Sequence, residues 1–455
     1  MARRTGWGLA NQAFSSLTNF ALGVLIARSV TPHEFGAFSL AFATYTLLLG
    51  LSRALTSEPF VVRFSHVRLD VWRPAAAAAA GTATSIGVVG GAGCVLFGLA
   101  TTGPTSQAFV ALGLTLPGLL LQDSWRFAFF ARGSGGQAFL NDLVWALIMF
   151  PAVVAFVATG HASMMWLTLG WGGAGAVAGL VGVLQARVLP RPALSARWLR
   201  AQRQLAAPYL GEFVAMSGAR QLAFYAVGAI AGLAAAGAIR GAQVLLGPVQ
   251  VLHNGARLAI LPEAVRLGKS SVPRMRVVCN RLSAALSAVA MLGGAAVFFL
   301  PTALGRQLLG QTWGAAHDVA IPLAVMLAGG GISMGAVIGL RALAASDRSF
   351  SARMIVSVLQ IAATIGGAFA GGAVAAAWGL AAGVWAGIPI WQWQLRQAIA
   401  ERERAAGGGD RDDASSPSDA VTAPAAPTQD RGPDVPTLAA PGFSPSPMEH
   451  VRHGT

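Results

Sequence analysis

Charge is scarce in this chain, and acidic charge most of all. Asp and Glu supply 18 of 455 residues, and charged residues of both signs make up only 11%, against roughly a quarter in a soluble globular domain. So few charges cannot cover a water-facing surface of this size. Cysteine is nearly absent too: Cys94 lies in an apolar run and Cys279 in a basic loop, without paired or CxxC spacing, so neither a disulfide framework nor a thiolate metal site is expected. The histidines are scattered, and no nucleophile stands near a base in a recognisable pattern. Gly268-Lys269-Ser270 resembles the end of a phosphate-binding loop, but the upstream glycine position holds Glu263 and no strand precedes it. The chain is therefore read as a non-enzyme, with no cofactor and no metal.

What the chain does contain is apolar length. Hydrophobic residues make up 55% and the mean hydropathy is +0.59, which places it among multi-pass membrane proteins. About twelve runs reach the roughly 20 residues needed to span a bilayer, from 7–27 and 35–57 through 351–373 and 375–396. Each must be helical, because a bilayer leaves backbone polar groups no outside partner. The first run is too long for a signal-peptide core and lacks a small-residue cleavage site, so it is read as a membrane helix. The net charge of +14 sits in short clusters between apolar runs and forms no continuous patch, which excludes nucleic acid as a partner. Those clusters set topology. Most Lys and Arg fall at alternate ends of the runs, with Arg28, Arg240 and Arg306 at the opposite ends, so both termini are expected in the cytoplasm.

The segment from Ala27 to Arg63 has a fainter copy about two hundred residues later, in which Gly36 aligns with Gly237 and Arg53 with Arg257. Six helices precede the second half, so both halves enter the membrane with the same polarity, as parallel repeats. The expected organisation is an N-terminal six-helix lobe (1–186), a basic cytoplasmic linker (187–207), a C-terminal six-helix lobe (208–400) and a disordered cytoplasmic tail (401–455), whose Gly, Pro, Ser and Asp cannot bury a core. Gly247-Pro248 falls near the middle of the eighth span, as a kink or a hinge.

Ionisable groups inside a span cost roughly 2.5–3.5 kcal/mol on insertion scales, so each needs a reason. Arg220 lies deep in the seventh span, either as a cation in a watery cavity or paired across helices, with Glu212 as a possible partner or coupling group. Arg53 and Arg257 hold matching places near the cytoplasmic ends of the second and eighth spans; they are topology anchors or, as a symmetric pair, phosphate ligands in a cleft between lobes. Asn11, Ser15, Thr18 and Asn19 form a polar stripe on the first helix that lines a cavity or a helix contact. Asp123, Arg126, Arg132 and Asp142 gather around the turn between the fourth and fifth spans, where a structural charge network is expected and Asp123 is a possible coupling or ion-pair group. Arg28 and Glu34 read as a local turn fixture, and Glu58-Pro59 as a cap or a break in the second helix.

Thr31-Pro32-His33-Glu34-Phe35-Gly36, the stretch from Gln122-Asp123-Ser124-Trp125-Arg126 to Arg132-Gly133, Gly247-Pro248 and Leu261-Pro262-Glu263 together resemble the Wzx-type polysaccharide flippases of the multidrug/oligosaccharidyl-lipid/polysaccharide (MOP) exporter superfamily. The resemblance implies two six-helix lobes in a V around a central cavity that opens alternately to either side. It further implies a bacterial cytoplasmic membrane, a polyprenyl-diphosphate-linked oligosaccharide as substrate, membrane lipid and polysaccharide-assembly proteins as partners, and cationic cavity residues that engage the diphosphate. Arg220, Arg53 and Arg257 are the residues onto which that role carries, with Asn11 and Asn19 as polar lining. The drug-antiporter branch would place a carboxylate in the first helix, and none lies between Met1 and Ala27. A small-molecule exporter and a membrane scaffold acting through the tail are the alternative readings.

Overall fold

The structure is a computed structural model that describes residues 2–65 and 67–412. The expected tail lies outside the described residues from 413 onward, as do the side chains of Arg257 and Glu212. Every regular element among the described residues is helical. The N-terminal half comprises α1 (Ala2–Ser29), α2 (Pro32–Ser52), a π-helical turn (Arg53–Ser57), α3 (Glu58–Phe64), α4 (Leu69–Ala100), α5 (Gly103–Ala131), α6 (Gly135–Ala158) and α7 (Met164–Ala186). The C-terminal half comprises α8 (Ser195–Phe213), a second π turn (Val214–Gly218), α9 (Ala219–Ile230), α10 (Leu233–Leu245), α11 (Gly247–Ser270), α12 (Val272–Phe298), α13 (Thr302–Leu309), α14 (Trp313–Ala342) and α15 (Ser346–Asp412).

Eight helical stretches are long and apolar enough to cross a membrane. The last of them breaks at Gly371–Gly372, where Gly372 has φ +64, a conformation that side chains rarely adopt; its two arms are separate crossings. The helices outside those eight are α1, α8–α9 and α10–α11. They bring the number of crossings to about the twelve expected for a polytopic membrane protein of this length. Their lower apolarity has a cause visible in the packing: α9, α10 and α11 turn polar side chains toward an internal cavity described below.

Local sequence sets the breaks. Thr31 and Glu34 form a capping box at the start of α2: the Glu34 N–H donates to Thr31 Oγ1 (3.3 Å) and the Thr31 N–H to Glu34 Oε2 (2.8 Å), satisfying two donors that a helix start otherwise leaves open. Glu34 is thus a turn fixture. Glu58-Pro59 does not end the second span; the chain passes through the π turn and continues helical to Phe64. Pro59 has no N–H to give to the preceding turn, and the carbonyl of Leu55, four residues back, accepts from the Trp198 indole at 3.1 Å. Trp198 belongs to α8, which begins inside the expected linker and docks on the N-terminal half, where Arg63 also donates to the Ala201 carbonyl (3.0 Å). Gly247-Pro248 divides the eighth span into α10 and α11, with Pro248 in the first turn of α11, where its missing N–H costs nothing.

One core centres on the N-terminal helices and takes in Val244, Leu309, Trp313 and Ala316 from the second half, and another lies within the second half. In the first, Trp171 of α7 meets Phe38, Phe42 and Tyr45 of α2 at ring separations of 5.9, 5.5 and 5.0 Å. In the second, α12 lies along α14, and Val319, Ala320, Leu323 and Ala324 of α14 join Val227, Ala238 and Ala242 in one buried cluster. α2 crosses α10 near the turn between α1 and α2, the most extensive contact between any two helices from different halves. There the two glycines that the internal repeat aligns face each other. A methyl at Gly36 would sit 1.8 Å from the Leu233 carbonyl oxygen, and one at Gly237 would sit 2.4 Å from that of Pro32. The contact is reciprocal, each glycine meeting the residue four places before the other, as a pseudo-twofold axis requires.

Candidate functional site

A cavity of about 570 Å³ lies between α2 and the C-terminal half. α2 closes one side with Ser39, Phe42, Ala43 and Thr46, while α9, α10, α11, α14 and both arms of α15 form the rest. Three cations reach its wall: Arg220 from α9, Arg240 from α10 and Arg353 from α15. Gln221, Gln243, Gln250, Asn254 and Gln360 add amides, and no carboxylate is present among the described lining residues. Like charges gathered in a low-dielectric setting repel, and an anion placed among them reverses that cost.

The three arginines are held differently. Arg220 is the second residue of α9, immediately after the π turn, and is exposed to the cavity; no hydrogen-bond or ion-pair partner for it lies among the described residues. Arg240 stacks its guanidinium 4.4 Å from the centre of the Phe42 ring, and its Nε is buried without a partner among the described residues. Arg353 lies 5.3 Å from the Trp391 ring, also on the cavity wall. Across the mouth between the halves, Gln221 donates to Thr46 Oγ1 (2.7 Å) and the Ala43 carbonyl (3.3 Å), and the Tyr225 hydroxyl lies 2.9 Å from Thr44 Oγ1.

Arg53 does not line this cavity. Its guanidinium binds Asp123 in a two-point pair, Nε to Oδ2 at 2.8 Å and Nη2 to Oδ1 at 2.7 Å, and its face lies 5.2 Å from the Phe127 ring. Arg126 shares Asp123 Oδ1 (2.7 Å) and approaches Asp142 (3.7 Å). Asp142 also accepts from Gln122 (2.7 Å), and the buried Asn11 lies beside it. Asp123, Arg126 and Asp142 are thus brought together as the sequence suggested, joined by Arg53; Arg132 instead faces the Trp72 ring at 5.5 Å. Asn19 donates to the Ser15 carbonyl (2.8 Å) and, with Ser15, Thr18, Arg126 and Asp142, lines a separate hollow of about 30 Å³.

Two of the three cavity cations escaped the sequence reading. The sequence places Arg240 with the topology charges at the ends of the spans; in the structure it stands within α10 and faces the cavity. The signal was available: Arg240 interrupts an apolar run as Arg220 does. Arg353 carries no such signal, standing near the end of a span among other basic residues, and the packing of α15 on α14 turns it inward.

No protein-family model matches the sequence, and no curated protein sequence is similar to it. Solved structures are. An inward-facing multidrug resistance MATE family transporter of the MOP superfamily has TM-score 0.66 at 13% identity, over 85% of this chain and 95% of that one. The lipid II flippase MurJ in its inward closed conformation has TM-score 0.66 at 12% identity, over 85% and 87%. An outward-facing MATE transporter of the same superfamily gives 0.53 at 13% identity, over 88% and 96%. This multi-pass membrane protein therefore has the fold of the MOP-superfamily transporters.

Proposed function

We propose that the protein is a flippase that carries a polyprenyl-diphosphate-linked oligosaccharide across the bacterial cytoplasmic membrane for surface polysaccharide assembly, with both termini in the cytoplasm. The observation that carries this reading is the cavity wall, which holds Arg220, Arg240 and Arg353 and no carboxylate among its described residues. Guanidinium groups hold phosphate oxygens through paired N–H donors, and the surrounding amides suit sugar hydroxyls. Export of cationic small molecules would call for the opposite wall.

The mechanism is alternating access by rocking of the halves. The basic ends of the helices face the cytoplasm, so the contact of α2 with α10 closes the outer side and the cavity faces inward. With the inside negative, outward movement of anionic charge is favoured by about 2.3 kcal/mol per charge per 100 mV across the full field. The test is reconstitution in vesicles with a fluorescent prenyl-diphosphate sugar and a membrane-impermeant quencher. Protein-dependent movement that falls about tenfold or more in Arg220→Gln and Arg240→Gln supports the reading; transport unchanged in both removes it.

A further inference from the structure

Two features of different kinds meet on the same pair of helices. The reciprocal glycine contact joins α2 at Gly36 to α10 at Gly237. Less than two turns further along, α2 presents Phe42 and α10 presents Arg240, stacked at 4.4 Å. The seam between the halves and a cation of the cavity are therefore one structural unit. Arg240 belongs to the C-terminal half and Phe42 to the N-terminal half, so their contact holds only while the seam is closed.

A ligand shifts a conformational equilibrium only through contacts that differ between its states. Arg240 provides such a difference. In this structure its guanidinium face is committed to the ring, while its Nε lies buried without a partner among the described residues. Charge-assisted bonds to an anion are stronger than a cation–aromatic contact and need the guanidinium edge turned to the ligand. We propose that Arg240 is the residue through which ligand binding opens the α2–α10 seam: an anionic group in the cavity draws the guanidinium off Phe42 and releases the halves from each other. The glycines complete the device, since they allow a close approach with little side-chain interdigitation to undo. The proposal rests on the flippase reading for the identity of its ligand, and on geometry alone for the latch.

His33 and Ala234 are exposed and stand at matching repeat positions on opposite sides of the seam. Spin labels at His33→Cys and Ala234→Cys, with Cys94→Ala and Cys279→Ala in the full-length protein, read the seam by pulsed electron spin resonance. Farnesyl diphosphate is the probe, with farnesol as the uncharged control. The expected result is a longer-distance population that rises about threefold or more with farnesyl diphosphate and not with farnesol. Phe42→Leu raises that population without ligand, Gly237→Ala does so by wedging the backbones, and Arg240→Gln abolishes the response to farnesyl diphosphate. If Phe42→Leu matches the wild type, or Arg240→Gln responds as the wild type does, the latch is overturned and the flippase reading stands. If farnesyl diphosphate moves nothing in the wild type, the sensor role of Arg240 is overturned, and a Phe42→Leu shift then leaves the latch as a purely structural contact. If neither Phe42→Leu nor Gly237→Ala yields stable protein, the seam is a contact the fold requires and not one that opens.

Discussion

The two halves place the same residue type in opposite circumstances. In the N-terminal half, Arg53 and Arg126 converge on Asp123, which is 4% exposed, and the group closes on Asp142, Gln122 and Asn141. In the C-terminal half, Arg220 and Arg240 face a cavity with no ion-pair partner among the described residues. A buried charge that is paired on all sides is part of the scaffold. One that is held inside a membrane protein without a partner keeps its binding capacity for something that arrives from outside. The difference teaches that an arginine's depth in the sequence says less about its role than the carboxylates that other helices bring to it.

The contrast breaks most visibly at Asp123. Asp123→Ala leaves Arg53 and Arg126 without their shared counter-ion, and losing one member of a buried charge group costs about 3–5 kcal/mol. Unfolding of the detergent-solubilised protein should register that loss as a lower midpoint. Arg220→Gln and Arg240→Gln should leave the midpoint where it is or raise it, because each removes an unpaired cation from a cation-rich wall. Equal destabilisation by all three substitutions would erase the distinction between the halves.

Binding should show the reverse order. Arg240→Gln loses charge-assisted bonds worth about 1.5–3 kcal/mol each, so affinity for a prenyl diphosphate, measured by calorimetry, should fall roughly ten- to a hundredfold. Arg53→Gln should change that affinity little, since its guanidinium is already occupied by Asp123.

Much of this was legible in the sequence. Apolar run length marks the helices, and the internal repeat aligns Gly36 with Gly237, which the fold brings together. Arg220 stands out because a cation deep in an apolar run needs either a partner or a watery cavity. Arg53 was misleading in the same terms: its symmetry with Arg257 suggested a ligand pair, whereas the partner that fixes it, Asp123, lies 70 residues away on α5 and no local pattern announces that pairing. Arg353 was hidden for a complementary reason. It sits at the end of a span beside other basic residues, and which way it turns is decided by packing between α14 and α15.

A smaller effect tests the docking of α8 on the N-terminal half. Trp198→Phe keeps the ring against Phe60 and Phe64 but removes the donor to the Leu55 carbonyl, at a cost of about 1 kcal/mol, or somewhat more if no water replaces it. Trp198→Phe in an Asp123→Ala background should add to the first loss without coupling, because the two sites share no hydrogen-bond partner. A coupled result would mean that the π turn carrying Arg53 transmits strain between them.

The smallest effect lies where the repeats diverge at a single position. Thr31 begins α2 with a side-chain cap, and the residue aligned with it, Gly232, begins α10 with φ +88 and no side-chain cap. Both solve the same problem, a sharp entry into a helix that must pass close to its counterpart, one by a hydrogen bond and the other by backbone freedom. Thr31→Ala should therefore cost about 1 kcal/mol and Thr31→Gly only a few tenths, since glycine tolerates the entry geometry even without the cap. Measured in the spin-labelled protein, Thr31→Ala should also broaden the distance across the seam, because α2 then enters Gly36's contact with Gly237 less firmly fixed. If Thr31→Ala and Thr31→Gly lower stability equally, the cap contributes nothing beyond the threonine's packing, and the halves start their matching helices by the same means after all.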